Sequence, residues 1–117
     1  MAEGFANHYG ADVLHATSAG LAPMQVIPAP TVAAMDELNV DVSTHVPRLY
    51  DPFEVSDYDI VVNMAGFKLP GPQPKELIEW KVTDPIGAPM DTYRLTRGEL
   101  ESRVMRLILD LRRRAQK

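Results

Sequence analysis

The sequence predicts an α/β fold with a parallel sheet flanked by helices. Three observations carry the prediction. Ile60-Val61-Val62-Asn63-Met64 opens on a continuous β-branched run, the pattern of a strand covered on both faces in a parallel sheet. Short apolar runs alternate with stretches of helical periodicity, which is the sequence form of βαβ units. The last quarter of the chain is a single long amphipathic pattern.

In chain order, Met1, Phe5 and Tyr9 fall on one face at fourth-residue spacing, so Met1 to about Tyr9 reads as a helix with Gly10 just past its end. Val13 to Thr17 reads as a short strand, followed by Ser18-Ala19-Gly20. Leu21 to Pro30 holds Pro23, Pro28 and Pro30 and reads as a loop, with Pro30 suited to the first turn of the next helix. Thr31 to Leu38 reads as that helix, on a stripe of Val32, Met35 and Leu38. Asn39 is suited to close it in a left-handed conformation.

Val40 to Pro47 reads as extended or irregular. Asp51 to Asp57 reads as a short helix with Pro52 in its first turn. After the Ile60 strand, Ala65 to Pro74 carries Gly66, Pro70, Gly71, Pro72 and Pro74 and must be a loop. Ile78 to Val82, around Trp80, reads as the last strand, and Asp84-Pro85-Ile86-Gly87 as a turn. A helix then runs from about Asp91. Leu100, Val104, Leu107, Ile108 and Leu111 form its buried stripe, and Arg94, Arg97, Glu99, Arg103 and Arg106 its solvated side. About 25 residues at ~1.5 Å each span close to 40 Å.

Composition bounds the function. The 117 residues are one domain's worth of chain, 45% hydrophobic and 24% charged, as in ordinary globular proteins. A net charge of −4 argues against nucleic acid as a partner. Arg112-Arg113-Arg114 and Lys117 form a local exception, read as a helix end whose carbonyl dipole favours cations. No apolar run reaches the roughly 20 residues a bilayer requires, and no secretory pattern opens the chain, so a cytoplasmic protein without membrane contact is expected. With no cysteine, the chain has no disulfide, no thiolate nucleophile and no thiolate metal site. His8, His15 and His45 lack metal-site spacing, and the methionines at 24, 35, 64, 90 and 105 read as core or loop filler. No metal and no cofactor is expected.

Five segments, taken in order, resemble one family. They are Met1-Ala2-Glu3-Gly4-Phe5-Ala6, Ser18-Ala19-Gly20-Leu21, Asp41-Val42-Ser43-Thr44-His45, Asp59-Ile60-Val61-Val62 and Trp80-Lys81-Val82-Thr83-Asp84-Pro85. Together they are similar to the low-molecular-weight tyrosine phosphatases and the related arsenate reductases, over essentially the whole chain. The resemblance implies a thiolate in a phosphate loop that attacks phosphorus or arsenic. It implies helix N-terminal N–H groups and an Arg that hold the oxyanion, and an Asp-Pro aspartate that protonates the leaving group. Only the last has a counterpart, Asp84, an orphan general acid by resemblance and a plain turn residue by composition.

The departures are specific. The family's first strand and its Cys-containing loop have no counterpart, so the sheet reads as truncated with its first strand missing. Asn63-Met64-Ala65-Gly66 stands where arsenate reductases carry redox cysteines, and Ile86-Gly87 where tyrosine phosphatases carry an aromatic residue. Ser18 and Ser43 are candidate nucleophiles by residue type alone, since no Gly-x-Ser-x-Gly elbow is present and no base can be paired with them from spacing. His15 reads as a structural histidine in a strand and His45 as a loop hydrogen-bond partner.

In the family the first strand lies between the Val13 and Ile60 strands. Its loss leaves two inner edges unpaired, and open edges recruit other chains. The expectation is a homo-oligomer, ahead of closure within one chain or poor stability. The chain therefore reads as a phosphatase-family protein truncated before its phosphate loop, inactive as it stands, and the fragment of a longer phosphatase. The alternatives are a true pseudoenzyme that self-associates or regulates, and an unrelated binding role on the same fold.

Overall fold

The computed structural model describes residues 1–21 and 26–116; Pro23, Met24 and Lys117 of the sequence reading lie outside them. The elements are α1 (Ala2–Tyr9), α2 (Ala29–Asp36), a 3-10 helix (Pro52–Asp57), β1 (Val61–Asn63), β2 (Leu77–Glu79) and α3 (Met90–Ala115). β1 and β2 pair in parallel, with Val61 opposite Leu77, Val62 opposite Ile78 and Asn63 opposite Glu79.

α3 is the spine. Its 26 residues turn Tyr93, Thr96, Leu100, Val104 and Ile108 inward at third- and fourth-residue spacing. Phe5 and Ala6 from α1, Met35 from α2, and Val40 and Val42 from the following loop close on Leu100, Val104 and Ile108. Phe5, Met35 and Ile108 are wholly buried. Leu107 and Leu111 of the expected stripe are half-buried.

α1 lies so close to α3 that a side chain at Gly10 has no room. A Cβ there would sit 2.8 Å from Ile108 Cγ1 and 2.9 Å from the Ala6 carbonyl. Gly10 has φ −117°, so close approach to α3, not a left-handed cap, makes glycine necessary.

The arginines of α3 do more than solvate it, contrary to the sequence expectation. Arg97 donates to the Ala34 carbonyl at 2.8 Å and to Glu37 at 2.6 Å, while Arg94 donates to Glu37 at 2.9 Å. Arg112 donates to the Tyr9 carbonyl and to Asp12, each at 3.0 Å. Helix C-termini leave carbonyls without intrahelical partners. Arg97 and Arg112 supply those partners at the ends of α2 and α1. Arg114 reaches Glu76, on the segment that enters β2, at 2.8 Å. Arg112 and Arg114 of the basic C-terminus are therefore ion-paired.

Several elements shift from expectation. α2 starts at Ala29, which puts Pro30 in its first turn as expected, and Leu38 falls outside the helix. Asn39 takes φ 60° and the left-handed conformation expected of it. Asp51 caps the 3-10 helix by accepting from the Phe53 N–H at 2.9 Å. The last strand ends at Glu79, and Trp80 follows it with its N–H donating to the Asn63 carbonyl at 3.0 Å. The Gly87 turn has φ 81°.

The expected strand Val13–Thr17 does not form. Residues 11–13 turn, and 14–19 belong to no element. A strand needs a ladder, and here the ladder groups of Ala16 are taken by a side chain. Asn7 accepts from the Ala16 N–H at 2.8 Å and donates to its carbonyl at 2.9 Å. Closure of this stretch onto β1 does not occur either, since β1 pairs with β2 alone among the described residues.

The pairing of Arg94 and Arg97 with Glu37 gives the fold a pH signature. Hydrogen bonds from both guanidinium groups bring the Glu37 carboxyl down from the ordinary 4.5 to about 2. A depressed carboxyl stabilises the fold above the unfolded value, and that contribution is lost as pH falls through the folded one. The parent's urea midpoint is therefore expected to fall more between pH 5 and pH 2 than that of Glu37→Gln. Parallel loss in both proteins would show that the pair contributes nothing.

Candidate functional site

The polar cluster of this chain gathers at the N-terminal end of α1, where three separate segments meet. α1 contributes Glu3 and Asn7, the stretch before Gly20 contributes Thr17 and Ser18, and the loop after Val42 contributes His45 and Arg48. Two devices bring the Ser18 segment in. Asn7 clamps Ala16, and Gly20 forms a parallel bridge to Leu49, with its N–H donating to Arg48 O at 2.9 Å and its carbonyl accepting from Tyr50 N–H at 2.8 Å. Val42 is buried against α1, which fixes where the following loop leaves the core.

At the junction, the His45 Nδ1 edge contacts Glu3 Oε2, and His45 Nε2 lies 3.4 Å from Ser18 Oγ. Both ring nitrogens of His45 are thus engaged, Nδ1 by the Glu3 carboxylate and Nε2 by the Ser18 hydroxyl. The Glu3 side chain is 16% exposed and that of His45 27%, so the carboxylate is largely screened from water while the imidazole edge remains accessible.

Arg48 flanks the cluster. Its Nε donates to the Ser18 carbonyl at 3.2 Å, and its Nη2 to Tyr58 Oη at 3.3 Å and Glu54 at 3.4 Å. The Tyr58 hydroxyl also accepts from Thr17 Oγ1 at 2.8 Å. The bond to Tyr58 and the nearby carboxylates, Glu3 among them, raise the Arg48 pKa, so the guanidinium is a fixed positive charge.

The other sequence candidates stand apart. Asp84 is exposed, and its Oδ1 accepts from the Ile86 N–H at 3.0 Å in a local turn. No described side chain hydrogen-bonds its carboxylate. Ser43 is also a turn residue. Its hydroxyl donates to Asp41 Oδ1 at 2.6 Å, and its N–H to the same oxygen at 2.8 Å, which holds the Asp41 carboxyl below its usual range. His15, expected in a strand, is exposed on the irregular stretch, and His8 is exposed beside the Tyr9 ring. Among the described residues, no group of three His, Asp or Glu side chains is arranged to hold a metal ion.

The structure thus brings together two residues that the sequence singled out, Ser18 and His45, and adds Glu3, Asn7 and Arg48, to which the sequence reading gave no role. Glu3 lay within a quoted motif, and its place in the first turn of α1 was the one available signal.

Comparison with known proteins completes the picture. A family model described as low molecular weight phosphotyrosine protein phosphatase matches residues 1–69. A glutaredoxin arsenate reductase of Synechocystis is 35% identical over 112 residues, covering 92% of this chain and 85% of that protein. An arsenate reductase of Staphylococcus aureus is 31% identical over 107 residues, covering 86% of this chain and 79% of that protein. Among solved structures, an arsenate reductase in the reduced state superposes with a TM-score of 0.82 at 31% identity, over 93% of this chain and 86% of that one. The arsenate reductase of Archaeoglobus fulgidus gives 0.74 at 26% identity, over 92% and 86%. The sequence left the tyrosine phosphatase and arsenate reductase branches open; these relatives are arsenate reductases.

Proposed function

Since the chain belongs to the low molecular weight phosphotyrosine protein phosphatase family, we propose that it is an arsenate-reductase-like domain whose 117 residues supply scaffold and general acid, but no nucleophile, for the family's thiolate chemistry. The observation that carries the reading is the absence of cysteine from these residues. A thiolate is both the attacking group and the electron donor in such chemistry, and a serine hydroxyl cannot supply two electrons to arsenate.

Asp84 fits the acid role by its place before Pro85 and its exposure, with one carboxylate oxygen engaged in the turn and the other without a described partner. Turnover then requires a thiol from outside the 117 residues. No described helix is long and apolar enough to cross a membrane, and a cytoplasmic setting belongs to the same proposal.

The second reading, a self-associating pseudoenzyme, has its own observation. Val61 and Asn63 turn their backbone groups to β2, as the bonds Val61 N–H to Glu76 O (2.9 Å) and Trp80 N–H to Asn63 O (3.0 Å) require. Alternation along a strand turns the Val62 N–H and carbonyl to the opposite edge, which no described strand covers. Phe53 and Phe67 lie on segments tied by the Tyr50 hydroxyl to Pro70 carbonyl bond, and they are 84% and 58% exposed. An open strand edge and exposed aromatic groups each favour pairing with a second copy.

The 117-residue chain is expected to release no p-nitrophenol from p-nitrophenyl phosphate and to reduce no arsenate with dithiothreitol as electron source. Turnover that survives repurification and drops in Asp84→Asn would overturn the first reading. In sedimentation velocity over a hundredfold range of concentration, a reversible dimer is expected. A monomer throughout would remove the self-association proposal.

A further inference from the structure

We propose that the outward face of α3 is a self-pairing surface, on which a second copy of this chain lays its own α3 antiparallel, with Ser102 at the crossing. The proposal rests on the self-association reading above and gives it a surface separate from the β1 edge.

Helical geometry sets the face. Leu100, Val104 and Ile108 turn inward, and α1 and α2 supply the side chains that close on them. On a helix of 3.6 residues per turn, Leu95, Gly98, Ser102 and Leu109 fall on the opposite side. All four are exposed. Leu95 is 75% exposed and Leu109 53%. Single exposed leucines are ordinary. These two share one face, roughly 20 Å apart along the axis at ~1.5 Å per residue. Between them the helix is nearly bare. A Cβ on Gly98 would meet nothing within 4 Å, so packing within this chain does not require a glycine there, and a second backbone has room to approach.

Charge selects the occupant and its direction. Arg94, Arg97, Arg103, Arg112 and Arg114 of α3 all have carboxylate partners. Arg106 and Arg113 have none among the described residues, and both are exposed on the outward face. The same face begins at Asp91, whose side chain is 92% exposed. An antiparallel second copy sets Leu95 against Leu109 and Arg113 beside Asp91, and carries Arg106 over Gly98 towards Glu99. A parallel copy would set Asp91 on Asp91 and Arg113 on Arg113. The antiparallel contact is its own two-fold mate, so each pairing forms twice and the assembly closes as a dimer. Exposed ion pairs fix direction more than they add affinity. The leucines therefore supply the burial, and the dimer is reversible.

The geometry has a covalent readout. Packed helix axes lie about 8–10 Å apart, with Cα atoms on a radius of about 2.3 Å. At the crossing, two Ser102 Cα atoms then come within the roughly 4.4–6.8 Å that a disulfide spans. The chain has no cysteine, so an introduced one is the only thiol present.

Under mild oxidation, Ser102→Cys is expected to form a disulfide-linked dimer, and Leu109→Cys alone is not. A mixture of Leu95→Cys and Leu109→Cys should cross-link to each other. In sedimentation velocity, Leu95→Glu should weaken the dimer by tenfold or more at unchanged circular dichroism. Asp91→Arg and Arg113→Asp should each weaken it, and the two together should restore it, which loss of a merely structural charge would not do. A dimer undisturbed by Leu95→Glu, or a charge-exchanged double variant no better than the single ones, would overturn this surface and leave the β1 edge standing. Leu109→Cys cross-linking to itself as readily as Ser102→Cys would overturn the antiparallel arrangement. A parent chain that stays monomeric throughout would overturn both surfaces.

Discussion

The seam between α1 and α3 is the contact on which the rest of this structure depends. Phe5 and Ile108 are wholly buried within it, and Gly10 leaves no room for a side chain between the two helices. Burial of side chains of this size is worth about 1.5–3 kcal/mol each. The two-stranded sheet contributes three residues per strand, with Val61 and Val62 only half-buried. The helices therefore carry the core, and α3 organises them. Its arginines complete the seam by closing carbonyls at the ends of α1 and α2, which joins polar satisfaction to apolar packing at the same two places.

That seam also sets the polar cluster. Glu3 and Asn7 project from α1, whose seat on α3 is fixed by Phe5 and Ala6. Asn7 then fixes Ala16, and Ala16 carries Ser18 toward His45. On the other side, Val40 and Val42 are buried in the same core, so the loop bearing His45 leaves from a defined point. The serine, the imidazole and the carboxylate thus come from three segments registered against one hydrophobic core. Asp84 lies on a different branch, at the turn before α3, where Thr96 Oγ1 donates to the Thr83 carbonyl at 3.3 Å.

The helices were legible because their apolar periodicity is local. Leu100, Val104 and Ile108 repeat at fourth-residue spacing, and the structure buries all three. The family, too, was legible from the order of short motifs. The strand at Val13–Thr17 was not, because strand formation depends on a partner, and the partner of Ala16 is the side chain of Asn7, nine residues away. The Ser18–His45 pair is separated by 27 residues and the Arg112–Asp12 pair by 100, distances across which no periodicity acts. Arg97 was read as solvating its helix because a charged residue on a polar face ordinarily does so. Its carbonyl partner, Ala34, belongs to a different helix and leaves no trace in the spacing.

Native-state hydrogen exchange on Ile108→Ala tests the seam most directly. A buried isoleucine cut to alanine costs about 2–5 kcal/mol. If α3 organises the fold, the slowest amides of α1 and α3 should lose protection together and by the same amount, with the Ala16 amide following them. Retained protection in α1 while α3 loosens would show that α1 is held by something other than this contact, and would contradict the account.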